Sequence, residues 1–202
     1  MFRKLFQRKK FTDSASYWEK RYAGGGTSGE GSYGELALFK ADVLNDFVRR
    51  NNIRNVIEFG CGDGNQLQLA AYDAYLGFDV SLTAIEKCRN LFAHDSTKTF
   101  KPINEYSGEK AQLALSLDVI YHLVEDSVFE EYMSLLFGSS EEFIIIYSND
   151  IDGGLGETKP HVRFRKFSTW VGQHALGWEL KQKISNRFPE ASTADFFIYE
   201  KK

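Results

Sequence analysis

The sequence predicts an α/β fold, a doubly wound, mostly parallel seven-stranded sheet with helices on both faces. Seven short apolar segments of strand character follow one another along the chain, and helical apolar patterns separate several of them. Such an alternation favours a parallel sheet covered on both sides, because each helix must bury its apolar face against the sheet. In this fold class, ligands bind at the carboxyl ends of the strands, where the strand order reverses.

The composition is that of one compact domain: the 202 residues include 28 acids, 25 bases and only three prolines. The net charge of -3 argues against broad electrostatic capture of nucleic acid. The longest apolar run is the five residues Phe143–Tyr147, whereas a membrane-spanning helix needs roughly 20, so we expect no membrane span. Two cysteines, Cys61 and Cys88, are too few for a disulfide framework, and we expect a cytoplasmic protein.

Residues 1–34 differ in composition from the rest of the chain. The first ten residues, MFRKLFQRKK, carry five bases and no acid, and six glycines lie between Gly24 and Gly34. Aromatic residues precede this glycine-rich stretch and a helical pattern follows it, so we predict that it folds over a ligand, with a plain linker as the alternative. Residues 35–202 are predicted to form a single domain.

The elements of this domain follow from apolar periodicity. A helix is predicted over Glu35–Arg50, where apolar residues recur at helical spacing and two terminal arginines favour the negative end of the helix dipole. Capping boxes, Thr83 with Glu86 and Ser127 with Glu130, predict two further helices. Strands are predicted over Val56–Phe59, Ala74–Asp79, Lys98–Ile103, Leu113–Leu117, Phe143–Ser148, Glu179–Ser185 and Ala194–Glu200.

The first predicted strand runs directly into Gly60, Gly62 and Gly64, a G-x-G-x-G pattern that we expect to lead into a helix. A tight turn needs residues without a Cβ, and bare backbone lets a ligand approach the amides at the start of a helix. The spacing differs from the dinucleotide pattern G-x-G-x-x-G, and an acid, Glu58, stands two residues before the first glycine, so we disfavour NAD. A tight turn without a ligand is the alternative.

The second predicted strand ends in an acid, Asp79, which follows Glu58 by 21 residues. A carboxylate at this place can accept hydrogen bonds from both ribose hydroxyls of an adenosine. It can also favour the start of the next helix through the helix dipole, and the two roles are compatible.

These residues resemble the first motifs of the class I, Rossmann-like S-adenosylmethionine-dependent methyltransferases of the small bacterial type. The resemblance covers residues 17–200 and implies S-adenosylmethionine as cofactor and S-adenosylhomocysteine as product. It implies a methyltransferase domain over residues 35–202, with residues 149–178 on the acceptor side. Asn104 stands where the family usually has an aspartate for the adenine amino group, with Glu105 beside it. The implied cofactor-binding residues are Tyr17, Trp18, Arg21, Glu58, Gly60, Cys61, Gly62, Gly64, Asn65, Gln66, Asp79, Val80, Asn104, Glu105, Leu117 and Asp118.

The end of the predicted strand Leu113–Leu117 resembles the family's fourth motif, which faces the transferable methyl group. Asp118 and His122, which are four residues apart, share a face if this stretch is helical. We predict that both are catalytic, together with His161, because a hydroxyl acceptor needs a base. A loop histidine paired with an acid for structure is the alternative. We expect no metal, since the acids lack a fixed ligand spacing.

Positive charge concentrates after the fifth predicted strand, at His161, Arg163, Arg165 and Lys166. Guanidinium groups bind oxyanions, so this cluster predicts a small-molecule acceptor that is anionic or polyhydroxylated. The predicted acceptor-binding residues are Tyr121, His161, Arg163 and Arg165. A solvated loop that pairs with Asp150 and Asp152 is the alternative.

The sequence thus predicts methyl transfer to an oxygen, with nitrogen less favoured, of a small polar acceptor such as a sugar or glycan intermediate. A non-catalytic S-adenosylmethionine-binding protein and a nucleic-acid methyltransferase remain as alternatives. The latter is less favoured, because the chain lacks the Asn/Asp-Pro-Pro-Tyr motif that serves a flipped base. A monomer and a homodimer are both compatible with the sequence.

Overall fold

The computed structural model of the chain describes residues 11–153 and 159–202, so the basic stretch 1–10 lies outside the described residues. The α-helices within these ranges are α1 (Ser14–Ala23), α2 (Gly34–Arg50), α3 (Leu82–Leu91), α4 (Asp126–Gly138) and α5 (Phe167–His174). The strands are β1 (Asn55–Phe59), β2 (Ala74–Asp79), β3 (Lys98–Pro102), β4 (Ala111–Leu117), β5 (Ser140–Ser148), β6 (Trp178–Ile184) and β7 (Asp195–Lys201). Among the described helices, none combines the length and apolar character that a bilayer span requires.

The seven strands form one sheet in the order β3-β2-β1-β4-β5-β7-β6. Strands β1 to β5 are parallel to one another, and β7 runs antiparallel to both of its neighbours, β5 and β6. The predicted fold class, doubly wound with a mostly parallel seven-stranded sheet, is therefore confirmed. The strand order reverses between β1 and β4, so a crevice opens at the carboxyl ends of these two strands.

Strand register sets which residues meet at that crevice. Glu58 of β1 lies opposite Gly77 of β2 on one side and opposite Leu115 of β4 on the other. The three strands consequently end side by side, and the residues that follow them emerge at a single edge of the sheet.

Each face of the sheet packs against its own helices. Successive side chains of a strand point to opposite faces. Thus Val56 joins the core that α2 and α3 cover, whereas its neighbour Ile57 joins the core that α4 and α5 cover. The central strands are buried on both sides, which explains why β5 reads as a continuous apolar run rather than an alternating one.

Two local predictions of helix structure are wrong. The segment after the glycine motif forms a single 3₁₀ turn over Gln66–Leu69, because β2 begins at Ala74 and leaves no room for an α-helix and its return. The helix starts also differ from the predicted capping boxes. Ser81, not Thr83, caps α3 by accepting from the amide of Ala84, and α4 begins at Asp126, so Ser127 lies inside the helix.

Gly64 should be indispensable to stability because it has a φ of +78° and faces α3. A Cβ there would lie 3.0 Å from Phe92 and 3.1 Å from the sulfur of Cys88. We expect Gly64→Ala to lower the free energy of unfolding by about 1–3 kcal/mol. Gly172, inside α5, is the matched control, because a Cβ added there would meet no atom within 4 Å. Gly172→Ala should raise stability by about 0.5–1 kcal/mol. Equal effects of the two substitutions in urea unfolding would contradict this account.

Candidate functional site

A cavity of about 250 Å³ opens at the crevice between β1, β2 and β4. Its floor is the glycine turn after β1, and its walls are the residues that follow β2 and β4. The roof comes from the N-terminal segment, which contributes Trp18 and Tyr22 of α1 and Ser28 of the glycine-rich stretch. The cavity therefore lies where the strand order predicts a ligand site.

The roof is attached to the glycine turn through Asp63. This carboxylate accepts hydrogen bonds from the amide and hydroxyl of Ser28, at 2.9 and 2.8 Å, and from the hydroxyl of Tyr33 at 2.9 Å. Gly62, with a φ of +60°, lies so close below that a Cβ would overlap the hydroxyl oxygen of Ser28. Close approach of the roof, as well as the turn itself, therefore requires a glycine at position 62.

Asp79 ends β2 and faces the cavity. Its two carboxylate oxygens accept hydrogen bonds from the amides of Gly62 and Ser81, both at 2.9 Å. These bonds fix the orientation of the carboxylate. Burial raises the pKa of Asp79 to about 6, because loss of water disfavours the charged form more than the two amides favour it.

Glu58 lies beneath the glycine turn and also lines the cavity. Its Oε2 accepts a hydrogen bond from the hydroxyl of Tyr75 at 2.6 Å. Burial raises the pKa of Glu58 to about 7, although the Tyr75 hydroxyl and the nearby Lys40 ammonium favour the charged form. The site thus holds two carboxyl groups whose charge changes near neutral pH.

Lys40 of α2 is a cavity residue that sequence reasoning missed. Its side chain is fully buried, and its ammonium lies 2.6 Å from Oδ2 of Asp118 and 5.3 Å from the centre of the Tyr147 ring. The spacing of apolar residues in α2 could have indicated it. Lys40 lies four residues after Leu36 and four before Leu44, so it falls on the apolar face of the helix. A lysine on such a face is buried, and a buried lysine needs a partner.

Asp118 follows β4 in a left-handed conformation, with a φ of +60°. Both of its oxygens are engaged, one by Lys40 and the other by the hydroxyl of Tyr121 at 2.8 Å. A 3₁₀ turn, Ile120–His122, follows it rather than an α-helix. The expected pairing of Asp118 with His122 on one helix face is therefore wrong, since each residue has a different partner.

His122 lines the cavity, and its Nδ1 lies 3.0 Å from the main-chain carbonyl of His161. Its ring contacts Trp18 edge to face, with centroids 4.8 Å apart. Burial lowers the pKa of His122 to about 4, because the imidazolium form loses its hydration. The ring of His161 does not line the cavity but stacks on Tyr17, with centroids 4.1 Å apart.

Arg163 and Arg165 point away from the cavity and hold the loop of residues 159–166 against the segment after β4. The Arg163 guanidinium donates to the carbonyl of Val124 at 2.9 Å, and that of Arg165 donates to the same carbonyl at 2.9 Å. Both also pair with Asp126. The alternative, in which these arginines pair with Asp150 and Asp152, is also wrong, and Asp150 instead accepts a hydrogen bond from the amide of Ser168 at the start of α5.

The predicted site residues divide into two groups. Those that line the cavity are Trp18, Glu58, Gly60, Cys61, Gly62, Gln66, Asp79, Val80, Leu117, Asp118 and His122. Those that lie outside its lining are Tyr17, Arg21, Gly64, Asn65, Asn104, Glu105, Tyr121, His161, Arg163 and Arg165. Of the residues that follow β3, Ile103 lines the cavity and its neighbour Asn104 does not.

Sequence reasoning missed further lining residues besides Lys40, among them Val119, Leu123, Val128 and Tyr132. These side chains carry no motif, and tertiary packing alone brings them to the crevice. Within the described ranges, no group of three or more His, Cys, Asp or Glu side chains is placed to hold a metal ion.

The raised pKa of Glu58 makes a testable contribution to stability. Below pH 4.5 the group is protonated in both folded and unfolded chains, and as the pH rises to about 7 the folded state alone retains the proton. Stability is therefore lost with rising pH across this window. We expect the ligand-free Glu58→Gln variant to gain stability relative to wild type between pH 5 and 8, measured by thermal unfolding.

Glu109 is the control, because its pKa is shifted in the opposite direction to that of Glu58. Its hydrogen bond with Lys101 is the largest cause that lowers its pKa to about 2, so Glu109→Gln should lose stability relative to wild type as the pH rises through about 4. A Glu58→Gln difference that stays constant between pH 5 and 8 would show that Glu58 does not titrate as inferred.

Arg165 should be a structural anchor. Its side chain is largely buried and donates to main-chain carbonyls of residues 123 and 124, so Arg165→Ala should lower the free energy of unfolding by about 1–3 kcal/mol. The exposed pair of Arg54 with Asp73 is the matched control, and Arg54→Ala should change it by less than about 0.5 kcal/mol. Equal stability of the two variants in urea would remove the anchoring role.

Comparison with known proteins gives a uniform result. No family model matches the chain, and no curated protein sequence matches it. Among solved structures, the N-methyltransferase NodS from Bradyrhizobium japonicum WM9, in complex with S-adenosyl-l-homocysteine, is 12% identical with a TM-score of 0.71, covering 94% of this chain and 99% of NodS. Magnesium protoporphyrin IX methyltransferase (ChlM) from Synechocystis PCC 6803, with bound SAM, is 16% identical with a TM-score of 0.65, covering 97% of this chain and 100% of ChlM.

A third match is the methyltransferase domain of the bacterial protein CtHen1-C, 19% identical with a TM-score of 0.64 and covering 80% of this chain and 96% of that domain. At these identities the similarity establishes the fold and leaves the chemistry to the site. The sheet order, the glycine turn and the three structural matches agree: the chain has the class I, Rossmann-like methyltransferase fold.

Proposed function

We propose that the protein is an S-adenosylmethionine-dependent methyltransferase that transfers a methyl group to an oxygen atom of a small molecule. The observation that carries the proposal is the orientation of Asp79 at the crevice, where amides of Gly62 and Ser81 hold its carboxylate beside bare backbone. A carboxylate fixed there is suited to the two ribose hydroxyls of an adenosine. Val80 directly follows β2 and Ile103 directly follows β3, and both offer apolar surface to the adenine.

The other end of the cavity suits an amino acid. Lys40 is a buried cation there, with two ammonium protons beyond the one that Asp118 accepts, and it can bind the carboxylate of the methionine group. Gln66 donates its amide to the carbonyl of Ala37, and its buried Oε1 has no hydrogen-bond partner among the described residues. That oxygen is suited to accept from the methionine ammonium, because a buried acceptor without a partner is costly.

Charge supports a cationic donor. The carboxyl groups of Glu58, Asp79 and Asp118 line the cavity together with one buried ammonium, that of Lys40, so the lining has an excess of acids. The ring of Trp18 lines the cavity and already has the Arg21 guanidinium 5.6 Å from its centre, in a cation–π interaction worth about 0.5–2 kcal/mol. When bound, the sulfonium supplies an activated methyl group, so the chain needs mainly to position the acceptor and exclude water.

The solved neighbours support the donor but differ in the acceptor, since one is named an N-methyltransferase and another a magnesium protoporphyrin IX methyltransferase. Oxygen is favoured here by His122, which lines the cavity and whose Nδ1 lies beside the His161 carbonyl, so that Nε2 can accept a proton from a hydroxyl group. The sugar or glycan acceptor, the cytoplasmic location and the oligomeric state stay predictions from the sequence.

Donor binding is tested by titration calorimetry with S-adenosylmethionine and S-adenosylhomocysteine. We expect Asp79→Asn to weaken both by about 10- to 100-fold, because one acceptor for a ribose hydroxyl is lost. Gly62→Val should abolish binding, since its side chain would displace the roof at Ser28. The exposed Asp73→Asn is the control and should bind like wild type. Absence of binding to wild type, or equal binding by all variants, would refute the proposed function.

A further inference from the structure

Lys40 is the only lysine or arginine in the described lining of the cavity. Its ammonium pairs with Asp118 and, in the proposed function, binds the carboxylate of the donor. Arg21 lies outside the lining, with its guanidinium 5.6 Å from the centre of the Trp18 ring. Five acids line the same cavity: Asp13, Glu58, Asp79, Asp118 and Glu125. Among the residues of the described lining, no further cation is left to pair with an acceptor that carries a carboxylate or phosphate, so its entry into this field has a cost in electrostatic energy.

The basic cluster that suggested an anionic acceptor has another use. The guanidinium groups of Arg163 and Arg165 donate to the carbonyl of Val124, and the amide of Arg163 donates to the carbonyl of Tyr121 at 2.8 Å. These bonds hold the loop of residues 159–166 beside the 3₁₀ turn that carries His122. Their consequence is positional, because they set where the main-chain carbonyl of His161 lies.

That carbonyl determines the protonation of His122. A carbonyl oxygen can only accept a hydrogen bond, so the Nδ1 that lies 3.0 Å from it carries the proton. In the neutral ring Nε2 is then the nitrogen with the free lone pair. No described residue hydrogen-bonds Nε2, and His122 lines the cavity, so this lone pair is available to a bound molecule.

The neighbours of the ring are mostly aromatic. Trp18 packs edge to face against it, and the ring centroids of Tyr121 and His161 lie 4.5 and 5.6 Å away. Asp118 and Arg21 are the nearby charged groups, and they act on its pKa in opposite directions. The carboxylate of Glu125 is occupied by the amide and hydroxyl of Ser14, at 2.9 and 2.6 Å. A reacting group beside His122 therefore lies near aromatic rings and near carboxylates that already accept hydrogen bonds within the protein.

Resting on the proposed function, we infer that the acceptor presents an un-ionised hydroxyl group to Nε2 of His122, on a molecule without a carboxylate or phosphate. In the step, the hydroxyl oxygen forms a bond to the methyl carbon. The carbon–sulfur bond breaks, and its electron pair goes to sulfur, giving the neutral thioether. The hydroxyl proton moves to Nε2, giving an imidazolium that keeps its Nδ1–H on the His161 carbonyl and later releases the new proton to water.

The inference assigns different roles to the two histidines. His122 is the base, and His161 acts through its main chain as a positioning residue. The assignment rests on the geometry of the His122 ring, whose Nδ1 lies 3.0 Å from the His161 carbonyl; the pKa of about 4 keeps the ring unprotonated at neutral pH but also makes it a weaker base than a solvated imidazole.

The first test is the tautomer of His122. Long-range ¹H–¹⁵N NMR spectra of the full chain at pH 7, assigned with a His122→Asn variant, should show a protonated Nδ1 and an unprotonated Nε2. A protonated Nε2 would overturn the inference, whether or not the donor binds.

The second test is acceptor choice in the presence of S-adenosylmethionine. Matched probes are p-cresol, catechol and methyl α-D-glucoside as hydroxyl compounds, against p-toluate and p-cresyl phosphate as oxyanions, with S-adenosylhomocysteine formation as the readout. We expect transfer to at least one hydroxyl probe and to neither oxyanion. Transfer to an oxyanion, or to no hydroxyl probe, would overturn the inference.

The third test compares variants with the best hydroxyl probe. Asn at position 122 can still donate to the His161 carbonyl but has no basic nitrogen, so His122→Asn should lower kcat by about 10²- to 10⁴-fold. Its donor affinity should change by less than about threefold. The exposed His94→Asn is the control and should keep the wild-type rate. A His122→Asn enzyme of full activity would overturn the inference, whereas failure of wild type to bind the donor would instead refute the proposed function.

Discussion

The buried ion pair between Lys40 and Asp118 is the constraint on which the site depends. It joins α2 to the end of β4, and Asp118 adopts a left-handed conformation while it accepts from both Lys40 and Tyr121. Loss of one partner from such a pair generally costs about 3–5 kcal/mol, because the remaining charge is buried alone. The pair therefore fixes where the chain leaves β4, and so where the turn with His122 begins.

The acidic residues that suit the cavity to a cationic ligand also reduce the stability of the ligand-free fold. Burial of Glu58 and Asp79 disfavours their charged forms, and their raised pKa values near 7 and 6 record that cost. A cationic ligand in the cavity favours the same charged forms. Ligand binding and the ionisation of these carboxyl groups are therefore coupled, which is a common property of sites assembled from like charges.

Much of the fold could be predicted because its signals are local. The predicted strands agree with the observed ones to within a few residues, since buried parallel strands leave short apolar runs and α2 leaves a helical period. The helix expected after Gly64 was wrong because the chain must return at Ala74, a limit that only the sheet imposes. Lys40 was missed because the apolar periodicity of α2 predicts which face of the helix is buried, but not which residues that face contacts.

The sequence alone determined the fold class, the glycine turn and the acid that ends β2, because each depends on backbone conformation or on residues within about 20 positions of one another. Tertiary structure decided the partners of the charged groups. Lys40 reaches Asp118 across 78 residues, and Arg163 meets Val124 across 39. Contacts over such separations leave no period or motif in the chain, so only the packed fold shows that the arginines support the site from outside while His122 faces the cavity.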